Sequence, residues 1–169
     1  MAPPVVFVMG SDSDLPVLQE GFDLLESLGV SFGARILSAH RTPKETQEFA
    51  ASAEREGVRI LVAAAGLAAH LAGVLAAHST LPVVGVPMPG SSLGGVDALY
   101  STVQMPGGVP VASMGIGKAG AKNAALFAVR ILALQDEALH ARLREFIEAQ
   151  AERVKAKDVE LRKRYGWDD

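Results

Sequence analysis

Residues 31–43 read Ser31-Phe32-Gly33-Ala34-Arg35-Ile36-Leu37-Ser38-Ala39-His40-Arg41-Thr42-Pro43, and they settle the fold class. The apolar run Ser31–Leu37 has the pattern of a strand, and Pro43–Glu56 that of a helix. Thr42 suits the N-cap, Pro43 the first helical position, and Glu45 stands three residues after Thr42, as a capping box requires. Gly57 then stops the helix. His40 and Arg41 therefore fall in a turn at the carboxyl end of a strand, beside a helix N-terminus, which is where open α/β sheets bind ligands. An imidazole titrates near neutral pH, and a guanidinium offers a planar fork to phosphate or carboxylate. A histidine at a strand end also serves structurally, by donating to a carbonyl; its place beside Arg41 favours function.

The same rhythm of strand and helix runs outward in both directions. Before this stretch, Val5–Met9 is a β-branched run, and Leu15–Leu28 carries Leu18, Phe22 and Leu25 at helical spacing before Gly29. After it come strands at Ile60–Ala63, Val83–Val86 and Val111–Met114, with helices at Ala68–His78, Val96–Gln104 and Ala121–Ala138 between and after them. Such alternation predicts a parallel sheet of about five strands with helices on both faces, its strands reading as continuous apolar runs because both faces are covered. Nothing marks a second domain, so residues 1–169 are expected to form one. The segment His140–Arg164 is the most amphipathic, with Leu143, Ile147, Val154 and Leu161 on one stripe. No strand follows it in sequence, and docking on a neighbouring subunit is the expectation for it.

Composition narrows the function classes. Of the 169 residues, 49% are hydrophobic and mean hydropathy is +0.24, so either the sheet is covered on both faces or surface is buried between subunits. A net charge of -3 and an isoelectric point near 5.8 give no general affinity for nucleic acid. The basic residues near the C-terminus are interspersed with Glu152, Asp158 and Glu160, as on a solvated helix face. The absence of cysteine removes disulfides, thiolate catalysis and cysteine-type zinc sites. No signal core follows Met1, and the longest apolar run, Ile60–Ala69, falls short of the ~18 residues a membrane span needs. A soluble cytoplasmic protein, with neither nucleic acid nor membrane as partner, is expected.

Other turns carry candidate chemistry. The first strand ends in Gly10-Ser11-Asp12-Ser13-Asp14, ahead of Leu15-Pro16. Hydroxyls and free N–H groups at a helix N-terminus make an anion site; Asp14 either accepts from ribose hydroxyls or is simply an N-cap. Strands one and two usually adjoin in this fold, which would bring this turn to Ser38–Thr42. His70 follows Ala65-Gly66-Leu67, also at a strand's carboxyl end, and either lines the same cleft or has a capping or core role. His78 and His140 read as structural, and four scattered histidines make a weak metal case. Gly115-Ile116-Gly117-Lys118-Ala119-Gly120 matches G-x-G-x-x-G, but it follows the fifth strand and no acidic strand end comes ~20 residues later. Its glycines are better read as permitting tight packing.

Taken together these motifs resemble the PurE family of purine biosynthesis, class I, the N5-carboxyaminoimidazole ribonucleotide mutases. The likeness covers nearly the whole chain: Met9–Asp14, Ser38–Pro43, Ala68-Ala69-His70-Leu71, Gly85-Val86-Pro87, Gly95–Ser101, Val103–Val111 and Gly117–Ala125. It implies a flavodoxin-like three-layer α/β/α fold, a homo-octamer with sites between subunits, and transfer of a carboxyl group from N5 to C4 of an imidazole ribonucleotide without metal, ATP or organic cofactor. It further implies that His40 is the general acid/base and that Ser11, Asp14 and Arg41 hold ribose and phosphate. Ser13, Ser38, Gly66, His70 and Leu71 would shape a pocket for released carbon dioxide, and the Met105–Pro110 loop would fold over the ligand. The chain departs from the family's usual Ala-Gly-Ala-Gly-Gly run, reading Ala63-Ala64-Ala65-Gly66-Leu67, and Ala72 replaces a proline. Leu67 is the serious change, because a glycine there could supply positive φ or close approach to the ligand. The rival readings are the class II carboxylase, which typically has lysine in place of Arg41 and lacks the His70-Leu71 motif, and a nucleotide-binding module without turnover.

Overall fold

In the computed structural model, which describes residues 2–167, β1 (Val5–Met9) is buried at every position and pairs in parallel on both sides. Its neighbours are β2 (Phe32–Ile36) and β3 (Ile60–Ala65), and β4 (Val83–Pro87) and the two-residue β5 (Ala112–Ser113) continue the sheet in the order β2-β1-β3-β4-β5. This is the doubly wound order in which the chain reverses its direction of travel across the sheet between β1 and β3. Register aligns Met9 with both Ile36 and Ala64, so the turns after β1, β2 and β3 emerge at one level.

Alternate side chains of β1 serve the two faces. Val6 and Val8 join a core with Leu61 and Ala63 of β3, with Phe49, Ala50 and Ala53 of α2 (Pro43–Glu56), and with Leu71, Ala72 and Leu75 of α3 (Leu71–Ala77). Phe7 points to the other face, where its ring meets Phe22 of α1 (Leu15–Ser27) edge-on at 4.9 Å. Gly21 of α1 allows close approach there, since a Cβ on it would stand 2.8 Å from the carbonyl oxygen of Ala121 in α5 (Lys118–Leu132). α4 (Val96–Val103) crosses β4 closely enough that a Cβ at Gly85 would collide with Thr102. Helices thus cover both faces, and the three-layer α/β reading stands.

The boundaries differ from the sequence reading in informative places. α2 runs from Pro43 to Glu56 and ends on Gly57 at φ 106, as expected. The expectation that every strand is covered on both faces fails at β2. It is an edge strand whose Arg35 is exposed and lies over the Phe49 ring at 4.6 Å, and whose Ile36 is also exposed. The helix read over Ala121–Ala138 stops at Leu132, and α6 (Glu137–Arg164) starts afresh. Asp136 makes the break, its carboxylate accepting from the Leu139 N–H at 2.9 Å; no glycine or proline announces it. By compactness the chain divides into one unit ending at Ala128 and another starting at Val129. In the second, Leu139 and Leu143 of α6 are buried, while Ile147, Val154 and Leu161 are exposed.

Candidate active site

The turns at the carboxyl ends of β1, β2, β3 and β4 enclose a cleft of about 550 Å³. The individual residues assigned to the site from the sequence, Ser11, Ser13, Asp14, Ser38, His40, Arg41, Gly66, His70 and Leu71, line it. The polar wall comes from the β1 and β2 turns. Ala65, Gly66, Leu67, Ala68, Leu71 and Met88 form a largely apolar wall from the ends of β3 and β4. The two imidazoles stand where the walls meet.

His40 Nε2 lies 2.7 Å from His70 Nδ1, with the rings edge-to-face at 4.9 Å between centroids. Two imidazole nitrogens at that distance share one proton, so one ring donates and the other accepts. His40 Nδ1 is left outside the pair. His70 occupies the N-cap position of α3 but makes no side-chain cap bond. Of its candidate roles, the cleft-lining one is therefore the one its side chain fills.

Arg41 is fixed by the turn around it. Its Nη2 donates to the Gly10 carbonyl at 2.6 Å, joining the β2 turn to the β1 turn, and its backbone N–H donates to Ser38 Oγ at 3.1 Å. Nε faces the same hydroxyl at 3.5 Å. The hydroxyl of Ser38 is thus committed to Arg41. Thr42 corrects the capping-box expectation: it sits at the N-cap of α2 with no side-chain cap bond. Its hydroxyl instead accepts from the Ser38 N–H at 2.8 Å and donates to the Ser38 carbonyl at 3.2 Å. The threonine closes the turn that presents His40, rather than capping the helix that follows.

In the first turn Ser11 accepts from the Ser13 N–H at 3.3 Å and from the Ser13 hydroxyl at 3.0 Å. Asp14 holds the N-cap position of α1 without a side-chain cap bond, which leaves its carboxylate to the cleft. Burial raises its pKa above the ordinary 3.8; the Ser11 backbone opposes that shift and the Asp12 charge adds to it.

Leu67 is the one non-glycine residue with positive φ among those described, at φ 57. Such a backbone costs on the order of 1–3 kcal/mol. Met88 N–H donates to the Ala65 carbonyl at 2.9 Å, and a Cβ on Gly66 would touch the Met88 Cβ at 3.4 Å. β3 is thus tied to β4 as far as Ala65, and the left-handed bend follows at Leu67.

Sequence reasoning missed the Gly10 carbonyl that anchors Arg41, and Met88 and Gly90 at the end of β4. The rule that selects strand ends would have found the last two had it been applied to β4. Residues 105–110 do not line the cleft; the Met105 side chain reaches Gly73 of α3, where a Cβ would meet its Cε at 3.3 Å. The G-x-G-x-x-G stretch is a packed turn, with the Gly115 carbonyl standing where a side chain of residue 120 would begin. Among the described residues no group of three histidine or carboxylate side chains could hold a metal, and no helix is long and apolar enough to cross a membrane.

A parallel sheet of this order, with an imidazole pair and an anchored guanidinium in the cleft at its switch point, defines an α/β protein of the class that binds ligands at the carboxyl ends of its strands. The comparisons make the class specific. A family model described as AIR carboxylase matches residues 4–153. The N5-carboxyaminoimidazole ribonucleotide mutase of Brucella melitensis is 53% identical over 154 residues, covering 91% of this chain and 95% of that one. The mutase of Pyrococcus horikoshii is 45% identical over 166 residues, covering 98% and 92%. The crystal structure of Treponema denticola PurE superposes with a TM-score of 0.82 at 28% identity, over 93% of this chain and 97% of that one. The chain belongs to the AIR carboxylase, or PurE, family.

Proposed function

We propose that this chain is an N5-carboxyaminoimidazole ribonucleotide mutase, an isomerase of purine biosynthesis. The observation that carries the reading is His40, paired through Nε2 with His70 at 2.7 Å in the cleft where Arg41 is anchored. Family membership and relatives of that name at 45–53% identity point the same way.

The reaction breaks the bond between N5 and the carboxyl carbon and forms one between that carbon and C4. N5 gains a proton and C4 loses one, so atoms and charge balance without a co-reactant. Carbon dioxide released from N5 must stay beside C4, which asks for proximity and exclusion of water. Addition at C4 leaves a tetrahedral carbon with a proton to lose, and His40 is the base that takes it. Having one nitrogen engaged by His70 holds the ring in place and leaves Nδ1 for the exchange. Ser11, Asp14 and Arg41 hold ribose and phosphate on the polar wall. Ser13, Gly66, His70 and Leu71 shape the carbon dioxide pocket, and Ser38 acts there by holding Arg41. No cofactor enters this scheme.

The enzyme works in the cytoplasm as a homo-octamer with sites completed between subunits. Exposed Ile147, Val154 and Leu161 on α6, and two imidazoles that lie open in the single chain, support association.

One assay separates the mutase from its rivals. The N5-carboxylated nucleotide is supplied first, then the uncarboxylated one with bicarbonate, and C4-carboxylated product is followed. Product from the first at low enzyme is expected. Product from the second alone would make the chain a carboxylase, and none from either, with binding intact, a binding module. His40→Asn should bind nucleotide and lose roughly 10²-fold or more in turnover; near-parent turnover would remove His40 from the mechanism.

A further inference from the structure

Leu67 combines three properties that do not ordinarily coincide. Its backbone is left-handed, a conformation that glycine or asparagine adopts at least cost. Its side chain is large and apolar yet 61% exposed, so core packing does not repay that cost. It also lines the cleft, on the apolar wall, three residues before His70. A backbone outlier at a functional cleft points to a use for the side chain.

The surrounding geometry says what that use is. The polar wall, with Ser11, Asp14 and Arg41, suits the charged and hydroxylated parts of a nucleotide. The apolar wall has nothing to offer a phosphate and suits a small uncharged species. Ala65, Gly66 and Ala68 leave space there, and Leu67 is the one bulky apolar side chain in the turn between β3 and α3. Because Ala65 is hydrogen-bonded to Met88 at the end of β4, the left-handed bend at 67 decides where that side chain stands relative to the imidazoles.

We infer that Leu67 is a specificity-determining residue of carboxyl transfer: its side chain forms the rim of the apolar pocket, keeping released carbon dioxide in and bulk water out. It makes no bond to the reacting atoms. It acts by raising the fraction of carbon dioxide that is captured at C4 over the fraction that escapes. The inference rests on the mutase reading, and its test keeps the two separable.

The N5-carboxylated nucleotide is prepared with ¹³C in the carboxyl group and converted, at initial rates, in buffer holding unlabelled bicarbonate. Label retained in the C4-carboxylated product measures capture. The parent protein is expected to retain most of it. Leu67→Gly removes the side chain and relieves the backbone, while Leu67→Asn keeps a residue tolerant of positive φ and makes it polar. Both variants should melt no lower than the parent, yet the ratio of label lost to label retained should rise by about threefold or more. A structural role alone would show as a lowered melting temperature with unchanged label retention in the folded protein. That result, or parental retention in both variants, overturns the inference. A parent that fails to convert the substrate at all overturns the mutase reading instead.

Discussion

Replacing Arg41 by lysine tests the site at its most specific point. Arginine has five N–H donors. One Nη2–H is given to the Gly10 carbonyl at 2.6 Å, and Nε–H faces Ser38 Oγ at 3.5 Å, which leaves three donors in a fixed plane for a ligand anion. A lysine keeps the charge but gives up the fork. If its ammonium takes the Gly10 carbonyl it meets the anion as a point charge, with one charge-assisted hydrogen bond fewer. Such a bond contributes about 1.5–3 kcal/mol. Arg41 is exposed, so the lower part of that range applies, about 1.5–2 kcal/mol or roughly 10- to 30-fold in Kd. The assay is calorimetric binding of the C4-carboxylated nucleotide and of the matching nucleoside without its phosphate. Arg41→Lys should weaken the nucleotide by that factor and the nucleoside hardly at all. In turnover KM should rise while kcat holds, because the lost contact is the same in ground and transition states. Equal losses for nucleotide and nucleoside would show that Arg41 does not grip the phosphate. Unchanged nucleotide binding would show that the fork is spent entirely on the β1 turn.

Two further outcomes concern the scaffold. Burial raises the Asp14 pKa in the folded chain, so the native state holds that proton more tightly than the unfolded one, and the cost in stability builds as pH rises from 3.8 and is complete above the folded pKa. Asp14→Asn should therefore melt higher than the parent at neutral pH, with the gap closing as pH falls through the raised pKa toward 3.8 and below; a gap independent of pH, or of opposite sign, refutes this. Gly120→Ala would drive a Cβ into the Gly115 carbonyl, at a cost of about 3 kcal/mol or a loss of roughly 6–12 °C in Tm. Thermal melting within about 2 °C of the parent would mean the turn has room that the geometry denies it.

Much of this architecture is legible in the chain because local signals agree with tertiary demands. Gly57 ends α2 in the left-handed region, as its place after a periodic segment implies. Val5–Met9 is buried throughout because both its faces are covered. Legibility fails where a side chain has two possible partners. Thr42 has the spacing of a capping box, yet Ser38 is nearer in space and takes its hydroxyl. Asp136 lies inside what reads as continuous helix, and only the geometry reveals that it caps a new one. In the site, sequence identifies strand ends but not distances. That His40 and His70 touch depends on β1 separating β2 from β3, and on their turns leaning inward over its end. Leu67 stands out as a departure at a glycine position, and the structure adds that the left-handed backbone is kept regardless.

The imidazole pair also bears on how the chain folds. His40 and His70 are 30 residues apart, and β2 and β3 never touch, since β1 lies between them. Their contact spans the end of β1, where Met9 is the last residue paired to each neighbour. The proton shared between the rings therefore reports that β2 and β3 are both seated on β1. Without β1 between them, β2 and β3 have no shared frame to bring the two turns together. Pairing over such separations slows folding, and the acid–base centre depends on both of these non-local pairings of β1.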